Sequence, residues 1–262
     1  MHRRYLLPAF SLLSGLCGAA VRACELARAF EPETGFKIPG EPTSIIMSAF
    51  TVAAIIVFAV MSALTGGRLK EGLRTLPGDK SASAKVMVIA SAFMLFGAAM
   101  FDLSFNGGGL PLSRIILVIF AIFSAASILV RIAKPGKGYS LFSLVPIFWC
   151  CYWLIIIYRE RSVDPVVTDY AYELFAVVAS ALFFYGAAGY DFGIRKIRLN
   201  VFYASTAVYL STVTLIGPVA AKLFYGGAIA NADFLPYFAA CILYALGGML
   251  WFLDPANRDS AR

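Results

Sequence analysis

Eight long apolar runs, at about 5–24, 44–65, 86–105, 112–132, 140–158, 170–190, 201–222 and 234–253, limit what this chain can fold into more than any motif does. Each can cross a hydrocarbon core ~30 Å thick, which takes about 20 helical residues. Backbone amides in lipid must be satisfied within their own segment, so such runs fold as helices, whereas barrel strands would alternate polar and apolar residues. The expectation is an all-α polytopic transmembrane helix bundle of eight spans forming a single domain over 1–262. Composition agrees: 60% of residues are hydrophobic and 14% charged, against roughly 45–50% and about 25% in soluble domains. The connections are about 20 residues or shorter, too short to hold a soluble catalytic domain.

The net charge of +7 would suit a nucleic-acid surface, but its distribution points elsewhere. Fifteen of the twenty-two Lys and Arg residues fall in alternate connections and at the termini, among them Arg3, Arg4, Arg68, Arg74, Lys134, Arg195 and Arg258. The opposite side carries Arg22, Arg28, Lys37, Arg114, Arg159, Arg161 and Lys222, together with the acidic residues Glu25, Glu31, Glu33 and Glu41. This asymmetry follows the positive-inside rule and puts both termini in the cytoplasm. The partner it implies is the lipid bilayer, and no nucleic acid is expected. The first run also resembles a signal peptide, whose cleavage would leave seven helices, but Arg22 spoils the small-residue site that cleavage needs. It is expected to stay.

Two stretches of the chain are nearly the same. "VIASAFMLFGAAMFDLSF" (88–105) and "VVASALFFYGAAGYDFGI" (177–194) share eight of eighteen residues, including Ser91/Ser180, Gly97/Gly186 and Asp102/Asp191. A second match at nearly the same offset pairs Pro146, Phe148 and Cys151 with Pro236, Phe238 and Cys241. Helices three to five (84–158) are therefore expected to be duplicated as helices six to eight (169–253), preceded by an accessory pair (1–66). A unit with an odd number of helices inserts its second copy upside down, which makes a 3+3 inverted repeat of the kind found in secondary transporters.

Ser91, Leu95, Ala98 and Asp102 fall on one helical stripe, as do Ser180, Phe184, Ala187 and Asp191. Gly97 and Gly186 would let neighbouring helices approach closely. A carboxylate at a helix C-terminus opposes the macrodipole and asks for a partner. Arg114 lies a short loop away from Asp102, and Arg195 is four residues after Asp191. Asp102 and Asp191 are thus expected to be gating groups or interfacial anchors. Helix seven is the most polar span, carrying Ser205, Tyr209 and Thr212 before Gly217-Pro218, where it could break. Trp149 and Trp153 sit one turn apart, deeper than the interfacial belt that tryptophan favours.

The run "VPIFWCCYWLIIIYRERSVDPVVTDYAYELFA", followed by "YGAAGYDFGIRK", resembles a group of multi-pass membrane proteins predicted from bacterial genomes. The resemblance implies a bacterial cytoplasmic (inner) membrane location and brings no activity or site residues with it.

Two functional readings follow. One is a small-molecule carrier or permease, with a substrate site built from Ser91, Trp149, Trp153, Ser180, Ser205, Tyr209 and Thr212. The alternative is a membrane-embedded sensor or accessory subunit that binds a partner membrane protein or a lipid. Catalysis is not expected, nor is a cofactor or a metal. The sole histidine is His2, and none of the five cysteines has CxxC spacing. The topology is tested directly: a reporter active only in the cytoplasm should be active when fused after Arg262 and silent when inserted at Glu33, and the reverse at either position would refute the eight-span threading.

Overall fold

The computed structural model describes residues 2–31, 36–65, 82–105, 111–133, 137–161, 169–194, 196–226 and 234–254. The glycine runs at Gly66-Gly67 and Gly107–Gly109, and the basic residues Arg68, Arg74, Lys134, Arg195 and Arg258, lie outside the described residues. The eight expected spans are present as α1 (His2–Arg28), α2 (Pro42–Ala63), α3 (Ala82–Phe105), α4 (Leu112–Ala133), α5 (Val145–Arg161), α6 (Ala171–Asp191), α7 (Ile197–Tyr225) and α8 (Leu235–Phe252). Each is long and apolar enough to cross a membrane. Large apolar side chains stand exposed along the helices, among them Ile45, Ile56, Phe93, Phe123, Phe148 and Leu223. A soluble protein does not carry such continuous apolar surface. The molecule is an integral, multi-pass membrane protein.

Local chemistry sets the helix ends. Pro42 and Pro236 each sit at the start of a helix, where the missing amide hydrogen costs nothing. Ahead of α5 the chain winds as a 3-10 helix over Lys137–Leu144, so the fifth span begins in tighter winding than expected. Gly226 ends α7 in the left-handed conformation, at φ 73°, as a C-terminal glycine does. Between α1 and α2 the chain doubles back through an isolated antiparallel bridge of Phe30 with Lys37. Gly217-Pro218 does not break α7, which runs unbroken past both residues. A membrane helix tolerates proline where neighbours accommodate the freed backbone.

The six helices α3 to α8 form a ring in chain order, each packed on the next, with α8 closing back onto α3. Helices α1 and α2 stand outside this ring, against α7. Exchanging α3, α4 and α5 for α6, α7 and α8 leaves this adjacency unchanged, but so would any ring closed in chain order. The side chains of the two copies differ in their surroundings. A methyl group added at Gly97 would meet nothing within 4 Å, so that glycine faces outward rather than letting a helix approach, whereas one added at Gly186 would run into Asn200. The two polar stripes do face inward: Ser91, Leu95, Ala98 and Asp102 are all buried, as are Ser180, Phe184 and Ala187.

Helices α1 and α7 approach each other closely through glycines on both. A Cβ at Gly15 would fall 2.8 Å from Thr212 Cβ, one at Gly18 2.9 Å from Val213 Cγ2, and one at Gly217 2.8 Å from Arg22 Cγ. Residue numbers rise together along both helices, so they run parallel. Small residues do here what they do in membrane helices generally, bringing backbones close enough for dispersion to accumulate. Gly15→Ala should therefore lower stability by about 1–3 kcal/mol, as overpacking does, while Gly97→Ala should be neutral or mildly stabilising through helix propensity. Reversible unfolding in mixed micelles measures both, and equal effects would contradict the packing described.

Candidate functional site

Four regions of the bundle carry chemistry. The first is its centre. Trp149 and Trp153 of α5 are fully buried and stack on each other, with ring centroids 5.1 Å apart. Around them Tyr237 lies 5.8 Å from Trp149, and Phe238 lies 4.7 Å from Trp153, both from α8. Phe184 of α6 stands edge-on to Trp149 and packs on Tyr244. These rings cross the space between α5, α6 and α8 and fill it. Neither indole nitrogen has a hydrogen-bond partner among the described residues.

The second region is the pair of repeated aspartates, held at opposite ends of a single helix. Asp102, fully buried at the end of α3, lies 3.9 Å from Arg114 Nη1 and accepts a 3.4 Å hydrogen bond from the Tyr237 hydroxyl. Arg114 in turn donates two 2.9 Å bonds to the Glu160 carboxylate, the fork-on-fork geometry in which guanidinium is strongest. Its guanidinium also lies 4.8 Å from the centre of the Phe234 ring. At the other end of the bundle Asp191 pairs with Arg131, in the last turn of α4. The partner of Asp191 is thus Arg131; Arg195 is outside the described residues. Arg114 and Arg131 are 17 residues apart on α4, which at 1.5 Å per residue is ~25 Å, close to the hydrocarbon thickness. An inverted repeat acting symmetrically would give each aspartate an equivalent partner, whereas α4 serves both here.

The third region is a buried polar cluster that the sequence reading passed over. Arg22 and Glu25, both almost fully buried on α1, form a 2.6 Å ion pair, and Ser44 of α2 donates to Glu25 at 3.0 Å. Arg22 also donates to the Asp169 carbonyl, and its guanidinium lies 4.7 Å from the centre of the Tyr172 ring. The 22/25 spacing, one helical turn between opposite charges, was the available signal.

The fourth is a cavity of ≈ 380 Å³ between α2, α6 and α7, open to the side of the bundle and lined mainly by apolar groups such as Val178, Leu182 and Phe202. At its wall Thr51 Oγ1 lies 3.1 Å from the Tyr172 hydroxyl and 3.1 Å from the Tyr209 hydroxyl.

The sequence-derived site residues do not converge. Trp149 and Trp153 face α8. Tyr209 faces Phe58 and Thr51 of α2, and Thr212 packs on Gly15 of α1. Most of their hydroxyls bond back into their own helix: Ser91 to Val88 O at 2.7 Å, Ser180 to Ala176 O at 2.8 Å, Ser205 to Val201 O at 2.8 Å and Thr212 to Val208 O at 2.7 Å. On α7, Ser205, Thr206 and Thr212 are satisfied by their own helix, Tyr209 reaches Thr51 of α2 and Thr214 donates to Tyr172 O of α6, while Ser211 Oγ is buried without a partner among the described residues. Among the described residues no three His, Cys, Asp or Glu side chains come together as metal ligands would. No protein-family model matches the chain, and neither a curated protein nor a solved structure matches it.

Removing one member of a buried ion pair leaves a charge stranded, at a cost of about 3–5 kcal/mol. Arg114→Met should show a loss of that order in unfolding experiments, because Asp102 is fully enclosed. Adding Asp102→Asn should recover part of it, and a double variant no better than the single one would rule out the pairing.

Proposed function

We propose that the protein is a membrane-embedded sensor or accessory subunit that engages a lipid or a partner membrane protein through its lipid-facing surface. It resides in a bacterial cytoplasmic membrane with both termini inside, performs no catalysis and binds no nucleic acid. The observation that carries this reading is the stacked Trp149–Trp153 pair and the aromatic rings around it, which occupy the space a central substrate site needs. The inward-facing hydroxyls support it too, since they are consumed by their own helix backbones rather than left to line a hydrated path.

One feature favours the carrier reading instead. Asp102 and Asp191 occupy equivalent places in the two proposed repeats and close opposite ends of the bundle through ion pairs, as the gates of an alternating-access protein would. The two readings differ in what water can reach. With the native cysteines replaced, single cysteines at Ser91, Ser180 and Tyr209 should stay unreactive toward a membrane-impermeant maleimide, in the parent and after either Asp102→Asn or Asp191→Asn. A carrier would instead react from the outer side in one aspartate variant and from the inner side in the other, and that result would overturn the sensor reading.

A further inference from the structure

Resting on the reading that the molecule acts through its lipid-facing surface, we propose that the cleft between α2, α6 and α7 is a binding site for a long-chain alcohol. This ligand is an uncharged, single-tailed amphiphile that enters from the bilayer and donates its hydroxyl proton to Tyr172. At ≈ 380 Å³ the cavity is at the lower end of the range of small-molecule sites. Its lining comes from three helices long and apolar enough to span a membrane, so a ligand entering from the side of the bundle comes out of the bilayer. Its lining contains no Asp, Glu, Lys, Arg or His, which disfavours a charged head because nothing would offset its desolvation.

The preference for a donor comes from counting protons. Thr51 donates its single hydroxyl proton to Met47 O at 2.9 Å. Its two contacts with Tyr172 and Tyr209, each at 3.1 Å, must then be made by protons from the tyrosines, which occupy both lone pairs of the threonine oxygen. Tyr172 is left with lone pairs and no proton. The same holds for the serine and the second threonine of the lining: Ser48 donates to Ser44 O at 2.9 Å and Thr206 to Phe202 O at 3.0 Å. Tyr203, also in the lining, can act either way. Helix formation has thus converted a row of hydroxyls into a row of acceptors beside an apolar slot. A hydroxyl at the end of a hydrocarbon chain can donate to them; an ether, ester or ketone of the same shape has no proton to give and is left with Tyr203 as its donor.

The test uses the full chain in phosphatidylcholine nanodiscs and three photoactivatable C16 probes: the primary alcohol, its methyl ether and the alkane. The alcohol should label peptides containing Val178, Leu182 or Phe202, saturably and in competition with unlabelled hexadecanol. The ether should label about five- to tenfold less well, the value of about one hydrogen bond. Tyr172→Phe, which keeps the ring, should bring the alcohol down to the level of the ether. Ala179→Phe fills the slot and should remove labelling by all three probes, while Leu223→Phe on the exposed surface of α7 should change nothing. Should Ala179→Phe fail to fold, Tyr172→Phe alone decides. Labelling that does not saturate, or that is equal for the three probes and unchanged in Tyr172→Phe, would overturn the site and leave only contact with surrounding lipid. Interior cysteines that stay inert alongside such a result would leave the sensor reading standing without this ligand, whereas reactive ones would remove that reading independently.

Discussion

Lipid gives these helices no hydrophobic reason to associate, since leucine is as well solvated by acyl chains as by other leucines. The bundle must be held by close packing, by hydrogen bonds and by charges that have nowhere better to go. The α1–α7 contact shows the first: Gly15, Gly18 and Gly217 remove the side chains that would hold the two backbones apart, and Thr212, Val213 and Arg22 fill the space. The ion pairs show the last. A charge placed in hydrocarbon is costly whatever the helices do, so a partner on a neighbouring helix turns that cost into a reason to pack.

Helix α4 is where this has its largest effect. With Arg114 at one end facing Asp102 and Glu160, and Arg131 at the other facing Asp191, it is fixed against α3, α5 and α6 at both membrane boundaries. Its register cannot slip by a turn without stranding a charge at each end. The aromatic filling between α5, α6 and α8 then packs within a frame whose height is already set.

Eight spans could be read from hydropathy because length and polarity are properties of a segment alone. The Asp102–Arg114 pair was legible for a similar reason: one short loop joins them, so they had to lie at the same face. The partner of Asp191 was not, because Arg131 precedes it by sixty residues and its position is equally well explained as a topology signal. Helix α7 was legible as polar but not as to where it points. Its hydroxyls lie on several sides, and pattern alone does not distinguish a hydroxyl facing water from one bonded to its own backbone. Gly97 and Gly186 make the same point: identical local sequence places one toward open space and the other against Asn200. Ring order, and therefore surroundings, is decided by contacts between distant segments.

The parallel contact of α1 with α7 joins the ends of the chain's order of synthesis. Gly15 meets Thr212, so about 200 residues must be made before α1 finds its seat, which at 5–20 residues per second takes on the order of 10–40 s. For most of that interval the Arg22–Glu25 pair sits on a helix whose other neighbours, Tyr172 and the Asp169 carbonyl, have not yet been made. Pairing within one turn lets α1 carry its own counter-ion while it waits, so the charge of Arg22 is compensated until the rest of the bundle arrives.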